Sequence, residues 1–403
     1  MEHLLNILPK PMSKTQLKNN MIKLLSFFQF MILYLVYHLL KPIIERQHGC
    51  VIGVTEVAKM IYLYGNIFPG AKTVCLDSNK FYELDYDFAI KKGHGHFSTL
   101  TYLIKRLVYG PILLAYLACK YDVFIYFWST GFLLDREHDF KFLKRKKKKI
   151  VTIFVGDDIR SPKKLREKLN ELEYDGFLDY VGIVNPDYLS ESYDKKKKRS
   201  AILSNNYADL CFNCSIDQAS HLTSKQYFLP YAYDINEFSR DDNKFNKTVK
   251  VLHAPSHPFV KGTPLVRAAI KKLKLEGYEF EYKELINVPN KQVLDALRSS
   301  HIVLNQFYAF APGVFGIESL ANHCAVLMSA DPDIETGLPQ NAKGAWMITK
   351  YWQVYDNLKL LLDNPSEIKK YADTGYEFAL NHYTYENASE YLHKIFKENG
   401  IKV

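Results

Sequence analysis

A chain of 403 residues with 47% hydrophobic content is long enough to bury two cores. Its net charge of +9 is modest for that length and gathers in two runs, Lys144–Lys149 and Lys195–Arg199; no nucleic-acid module accompanies them, so nucleic acid is not an expected partner. The six cysteines are scattered, with one Cys-x-x-Cys at Cys211 and Cys214 and no second pair, which argues against zinc and for buried thiols in a reducing compartment.

Residues 24–40 are strongly apolar and flanked by Lys23 and Lys41. No small-residue cleavage site follows, which argues against a signal peptide. The run is slightly short of the roughly 20 residues that a membrane crossing needs, and it contains Gln29 and His38. A crossing would also leave Lys10, Lys14, Lys18 and Lys23 outside if the rest stayed in the cytosol, against the usual charge bias. Three readings of segment 1–47 stay open: a helix on a membrane surface, a helix packed on the protein, and a span.

An alternating pattern follows. Residues 48–54 read as a short buried strand with Gly53 near its end, and Thr55 as the cap of a helix beginning at Glu56. A second strand at 71–76 completes a β-α-β unit, which implies a parallel sheet. His94 and His96, with no carboxylate or thiol nearby, make a poor metal pair, and a loop is expected there. The apolar stretch 107–118 reads as a helix containing Pro111. Apolar strands at 121–128 and 149–155 each end in a polar turn, the second being Gly156-Asp157-Asp158-Ile159-Arg160-Ser161. Polar groups at the C-terminal ends of strands face the ligand cleft of an open α/β sheet. Asp158 there suits orientation or deprotonation of an acceptor hydroxyl, and Arg160 a bidentate grip on a phosphate or carboxylate. The plain alternative is an aspartate cap and a loop ion pair. Charged helices over 163–200, a strand at 209–215 and a polar linker over 239–247 follow.

The second half repeats the alternation. Lys250–His253 is a strand, broken by Pro255, Pro258 and Gly262 into a loop. Lys261 sits before a helix that Thr263 can cap, so it lies beside free backbone N–H groups, a setting for an anion; an ordinary exposed lysine is the alternative. Gln306 ends a strand beginning at Ile302. Gly313 and Gly316 allow close backbone approach, and Glu318 falls where a helix is expected from Ile317. A carboxylate there can accept from two vicinal hydroxyls, or merely complement the helix dipole. Amphipathic helices at 356–362 and 388–398 close the chain.

Taken together, His253-Ala-Pro-Ser256, Lys261-Gly-Thr and Gly313-Val-Phe315-Gly316-Ile317-Glu318-Ser-Leu-Ala resemble the donor-binding domain of retaining nucleotide-sugar glycosyltransferases of the group-1 or family-four kind. The likeness is clearest over 250–395 and traceable back to residue 49. It implies an α/β GT-B fold, two Rossmann-like domains facing an interdomain cleft. The implied division is an acceptor domain at 48–238, a linker at 239–248, a donor domain at 249–375, and a segment 376–403 that crosses back. It also implies that Lys261 contacts the donor diphosphate and Glu318 the nucleotide ribose. Gly313, Phe315 and Gly316 would form the close approach, and His253, Ser256, His257, Gln306 and Ile317 would surround the donor. Gly53 would stand in a first turn facing the cleft. The turn at 156–161 resembles a Gly-Ser-Asp-x-Arg turn of bacterial sugar transferases, which places Asp158 and Arg160 on the acceptor side.

Three departures stand out. Phe310 occupies the place of the family's first glutamate, Ser256 and Pro255 stand where an arginine usually precedes the lysine, and Val155 replaces a histidine. The implied chemistry moves a sugar with retention, Lys261 and backbone N–H groups stabilising the leaving diphosphate, with no metal and no cofactor beyond the nucleotide-sugar co-substrate. The implied acceptor is a glycan or lipid-linked molecule of cell-envelope synthesis. The basic runs and apolar N-terminus add an anionic surface at the cytosolic membrane face. A non-catalytic sugar-nucleotide-binding scaffold is the competing reading, and an epimerase or phosphorylase on the same fold is the third.

Overall fold

The computed structural model describes residues 14–77, 84–90 and 96–403. Among the described residues, short runs rich in Val, Ile and Phe form eleven strands: β1 Cys50–Thr55, β2 Lys72–Asp77, β3 Phe88–Ala89, β4 Val123–Phe127, β5 Lys149–Ile153, β6 Leu210–Phe212, β7 Lys250–His253, β8 Glu281–Glu284, β9 Ile302–Leu304, β10 Ala325–Met328 and β11 Met347–Ile348. They make two sheets, ordered β3-β2-β1-β4-β5-β6 and β11-β10-β9-β7-β8. All pairings are parallel. Chain order reverses between β1 and β4 in the first sheet and between β7 and β9 in the second; such reversals open a crevice at the strands' C-terminal ends.

Both faces of each sheet are covered, which is why the central strands are apolar throughout rather than alternating. On one face of the first sheet the helices Lys14–Leu40, His96–Lys120 and Arg136–Arg145 bury Leu33, Leu114 and Phe142. On the other, the helix Met60–Ile67 meets the C-terminal helix Tyr385–Glu398, whose Ala388, Leu392, Ile395 and Phe396 share a core with Ile52 and Phe68. The second sheet lies between the helices Thr263–Leu275 and Val354–Asp363 on one side and Gly313–Ala321 and Pro365–His382 on the other. All six cysteines are buried and unpaired.

Several boundaries differ from the sequence reading. Thr55 stays in β1 and the helix starts only at Met60, because Ala58 and Lys59 take left-handed φ of 52° and 63°. Residues 56–59 are therefore a loop at the edge of the crevice. Thr263 does not cap its helix; its hydroxyl bonds His253 instead. The helix bearing Glu318 begins at Gly313, so Glu318 lies in its second turn. The apolar stretch near Pro111 belongs to a 25-residue helix. His94 lies outside the described residues; His96 opens that helix. The N-terminal helix packs along the first lobe through Leu33 and Tyr37, with Gln29 donating to the Leu107 carbonyl and accepting from Leu134 N. Only one face of the helix is packed; the other stays exposed, and Met21–Leu40, longer than the sequence reading expected, is long and apolar enough to cross a membrane.

The lobes are tied by polar and aromatic contacts. The carboxylate of Glu335, fully buried, accepts from Ser215 N, Ser215 Oγ, Ile216 N and Asp217 N at 2.9–3.0 Å. Asp217 Oδ1 in turn accepts from Phe310 N at 3.1 Å. The Phe310 ring packs on Tyr174 across the interface, centroids 5.1 Å apart. Removing the Glu335 carboxylate strands buried N–H donors, each a desolvation cost of roughly 1–3 kcal/mol. Glu335→Ala is therefore expected to lose about 3 kcal/mol or more of stability, read as a lower calorimetric Tm; an unchanged Tm removes the clasp.

Candidate active site

The crevice between the lobes holds a cavity of about 330 Å³. It is lined by the turn after β1 (Val57, Ala58), Val155 after β5, Ala254–Ser256 after β7, Leu285, Asn287 and Val288 after β8, Asn305 after β9 and Pro312–Phe315. These are C-terminal strand ends from both sheets, where α/β crevices bind ligands. Lys261 and Glu318 line the same cavity.

Lys261 ends the short helix Pro258–Lys261. Gly262, at φ 80°, then swings the chain into the next helix; a Cβ there would be strained whatever the space around it. The Lys261 ammonium donates to Gln306 Oε1, and Gln306 Nε2 donates to the Ala311 carbonyl. Gln306 is buried and absent from the cavity wall, so it aims Lys261 rather than meeting a ligand itself. Burial lowers the Lys261 pKa to about 8, opposed by nearby Asp217.

Glu318 is buried, its Oε1 accepting from Asn290 Nδ2 at 3.1 Å, with Lys59 Nζ of the other lobe at 3.9 Å. Burial raises its pKa to about 7, and Lys59 and Asn290 pull it down. Ser256, Gly313 and Phe315 line the cavity beside it. The helix Gly313–Ala321 opens its N-terminus onto the same space, where backbone N–H groups and the helix dipole favour an anion.

The other sequence candidates fall elsewhere. His253 is fully buried, Nδ1 paired with the Leu304 carbonyl at 2.6 Å and Nε2 with Thr263 Oγ1 at 2.9 Å. It ties β7 to β9 and to the following helix, and burial holds its pKa down near 4, so the ring is neutral. Gly53 does not stand in a turn. It sits inside β1, paired with Val74 and Tyr126, where a Cβ would come within 2.7 Å of the Val74 carbonyl oxygen. Gly316 lets the helix close on Asn305, 2.8 Å from its absent Cβ, and Ile317 points into the second lobe's core. His257 is exposed beside the crevice and off its wall.

Asp158 is buried and caps its own turn, accepting from Gly156 N at 2.9 Å and Val155 N at 3.2 Å. Arg160 is spent on Asp217, donating to its carbonyl at 2.8 Å and its carboxylate at 3.0 Å, with its guanidinium over Phe177. Neither reaches the cavity, so their acceptor roles give way to the cap and the ion pair. Asp242, His323 and Asp373 converge on the surface, but Arg240 and Lys369 already neutralise the two carboxylates. Three contributors escaped the sequence reading. Lys59 was placed in a helix, while Asn290 and Asn305 carry no motif.

Two parallel α/β lobes presenting their strand ends to one crevice define a GT-B fold. Residues 263–394 match a family model described as glycosyl transferase-like, which takes in Glu318 and begins just after Lys261. Among solved structures, the chain is similar to sucrose-phosphate synthase from Thermosynechococcus elongatus, with TM-score 0.56 and 11% identity over 88% of this chain and 99% of that one. It is similar also to Anabaena HepE in complex with UDP-glucose, with TM-score 0.53 and 10% identity over 87% and 100%. WaaG, a glycosyltransferase involved in lipopolysaccharide biosynthesis, gives TM-score 0.50 and 11% identity over 85% and 97%. At such identities the likeness carries the fold. No curated protein matches the chain by sequence.

The wall of the site sets the titration of Glu318. Its side-chain carboxyl, followed by carbon-detected NMR, is expected to titrate near pH 7. Lys59→Met removes a cation that favours the charged form and so raises that midpoint further. A midpoint at the ordinary glutamate value of 4.5 removes the desolvated carboxyl from the site.

Proposed function

We propose that this chain transfers a sugar from a nucleoside-diphosphate donor to a hydroxyl of a glycan or lipid-linked acceptor, with retained configuration, in cell-envelope glycan synthesis at the cytosolic membrane face. The observation that carries the reading is one cavity bounded by a lysine and a helix N-terminus for an anion and by a buried carboxylate for vicinal hydroxyls. The match of 263–394 to glycosyl transferase-like sequences and the UDP-glucose bound by HepE support the donor class.

In this reading Lys261 and the N–H groups of the Gly313 helix face the diphosphate, and Glu318 accepts from the ribose hydroxyls. The bond from the anomeric carbon to the phosphate oxygen breaks as negative charge grows on that oxygen. Fixed positive groups in a water-poor crevice stabilise this charge. The acceptor oxygen bonds the same carbon from the same face. Among the described residues of the wall, Glu318 is the sole carboxylate, and it serves the ribose. The acceptor's proton therefore passes to the departing diphosphate oxygen, which balances the exchange.

Lys261→Ala is expected to lower kcat by roughly 10²–10³, the usual loss for one oxyanion donor. Glu318→Ala is expected to raise the donor Kd by about tenfold or more, the scale of a charge-assisted hydrogen bond. Unchanged turnover and donor affinity in both variants remove the assignment. A calorimetric screen of nucleotide sugars separates the scaffold reading, in which none binds.

The two shifted groups also predict a pH profile. Glu318 becomes a full acceptor only as pH rises through about 7, and Lys261 loses its charge as pH rises through about 8. A narrow bell in kcat/KM is expected, and Glu318→Gln should flatten its acid limb while Lys261→Arg extends its alkaline limb.

A further inference from the structure

The N-terminal helix buries two polar side chains on the face that also buries Leu33 and Tyr37. Ser26 and Gln29 are buried, and Gln29 bonds the Arg106 carbonyl at 3.4 Å, the Leu107 carbonyl at 3.1 Å and Leu134 N at 2.8 Å. Its outer face carries Leu24, Phe27, Phe28, Met31, Leu35 and Leu39, each between 56% and 69% exposed. A water-facing helix on a soluble lobe shows the opposite arrangement. The neighbouring helix His96–Lys120, against which it packs, exposes Leu103, Ile104, Val108 and Ile112. The two helices pack against each other, so their exposed apolar side chains lie on neighbouring faces, and contiguous exposed apolar side chains mark interaction sites.

Cations gather at its edge. Arg145 donates to Tyr34 on the N-terminal helix at 3.1 Å, and Lys146 lies 4.5 Å from the Tyr37 ring. Lys41 and Arg145 lie close enough to Lys146 to repel its charge. Among the described residues, neither Arg145 nor Lys146 has a carboxylate partner, whereas Lys144 and Lys149 pair with Asp209 and Lys148 with Asp122. In the other basic run Lys195 pairs with Glu191, Lys197 with Asp157 and Arg199 with Asp135, while Lys196 and Lys198 lie away from the apolar face on the helix Glu191–Tyr207.

We propose that this two-helix face lies flat in the headgroup region of an anionic lipid leaflet, with Lys41, Arg145 and Lys146 on the lipid phosphates. It deepens the membrane-side reading above, and rests on that reading only for the purpose it gives the surface. Apolar side chains enter the acyl boundary while the rimming cations meet anionic headgroups. The helix does not cross the bilayer, since crossing would strip Gln29 of its partners.

The test is flotation of the full chain with vesicles of phosphatidylcholine alone and of phosphatidylcholine with phosphatidylglycerol. Binding is expected to the second and to weaken as salt rises. Phe28→Glu with Met31→Glu should abolish it with an unchanged circular dichroism spectrum, since both side chains are exposed. Lys146→Ala should weaken it about fivefold, the equivalent of one cation at such a surface. No binding to either vesicle overturns the proposal. So does a lipid-free dimer that the double variant dissociates, which would assign the face to a second copy of the chain. Sugar transfer to a water-soluble acceptor is measured in parallel. Its loss with vesicle binding intact counts against the transferase reading alone, and the reverse counts against this surface alone.

Discussion

The site exists only because two lobes are held at a fixed spacing, and a buried carboxylate is central to the contacts that hold it. Glu335 reaches from the turn after β10 to three consecutive backbone N–H groups at 215–217 of the first lobe. A carboxylate meeting several backbone donors in a low-dielectric setting makes short, directional bonds that tolerate little sliding. Asp217, fixed by that contact, binds Arg160 on one side and Phe310 N on the other. On the far side of the interface the C-terminal helix returns to the first lobe and buries Leu392 and Phe396 there. Held from both flanks, the loop after β1 brings Lys59 to 3.9 Å from Glu318, and the crevice acquires walls from both sheets.

That enclosure shapes the electrostatics. Lys261 is lowered to about 8 and Glu318 raised to about 7 by the same cause, loss of water, although their charges are opposite. Neither group is answered by a strong opposite charge in contact: Lys261 meets a neutral amide, and Glu318 an amide and a lysine at the outer limit of an ion pair. A structural salt bridge would have neutralised each. Arg160 with Asp217 shows what such a pair looks like in this chain: short, buried and away from the crevice. Groups left poised near neutral pH in a cleft mark functional positions more often than structural ones.

The sheets were legible in the sequence because every central strand is a short apolar run bounded by Gly, Pro or polar residues, and parallel strands buried on both faces need that pattern. Two of the edge strands were not. β3 and β11 have two residues each, too few for a period. Local capping rules misplaced helix starts where a side chain had a tertiary partner, as Thr263 has in His253. The same competition undid Asp158 and Arg160: an acid and an arginine after a strand look alike whether they face a ligand or their own turn, and Asp217, which decides the case for Arg160, is 57 residues away in sequence. Lys59 was invisible because its left-handed backbone, which breaks the expected helix, carries no glycine to announce it.

Phe310 raised the sharpest question, since a glutamate at its place is usual among the transferases that the sequence resembles. Its ring lies 1% exposed between lobes, among Tyr174, Phe177, Leu178 and Tyr308. A carboxylate put there would be surrounded by aromatic rings and would need a partner that the cluster does not contain, a costly burial. The ring faces the lobe interface, while the loop's backbone closes on Gln306 through the Ala311 carbonyl and so aims Lys261. Phe310 therefore adds an aromatic contact to the interface that positions the crevice. Under the transfer reading proposed above, the ligand would meet the backbone and side chains of Pro312–Phe315 there rather than a carboxylate at 310, and selection among sugars would rest more on shape than on hydrogen bonds.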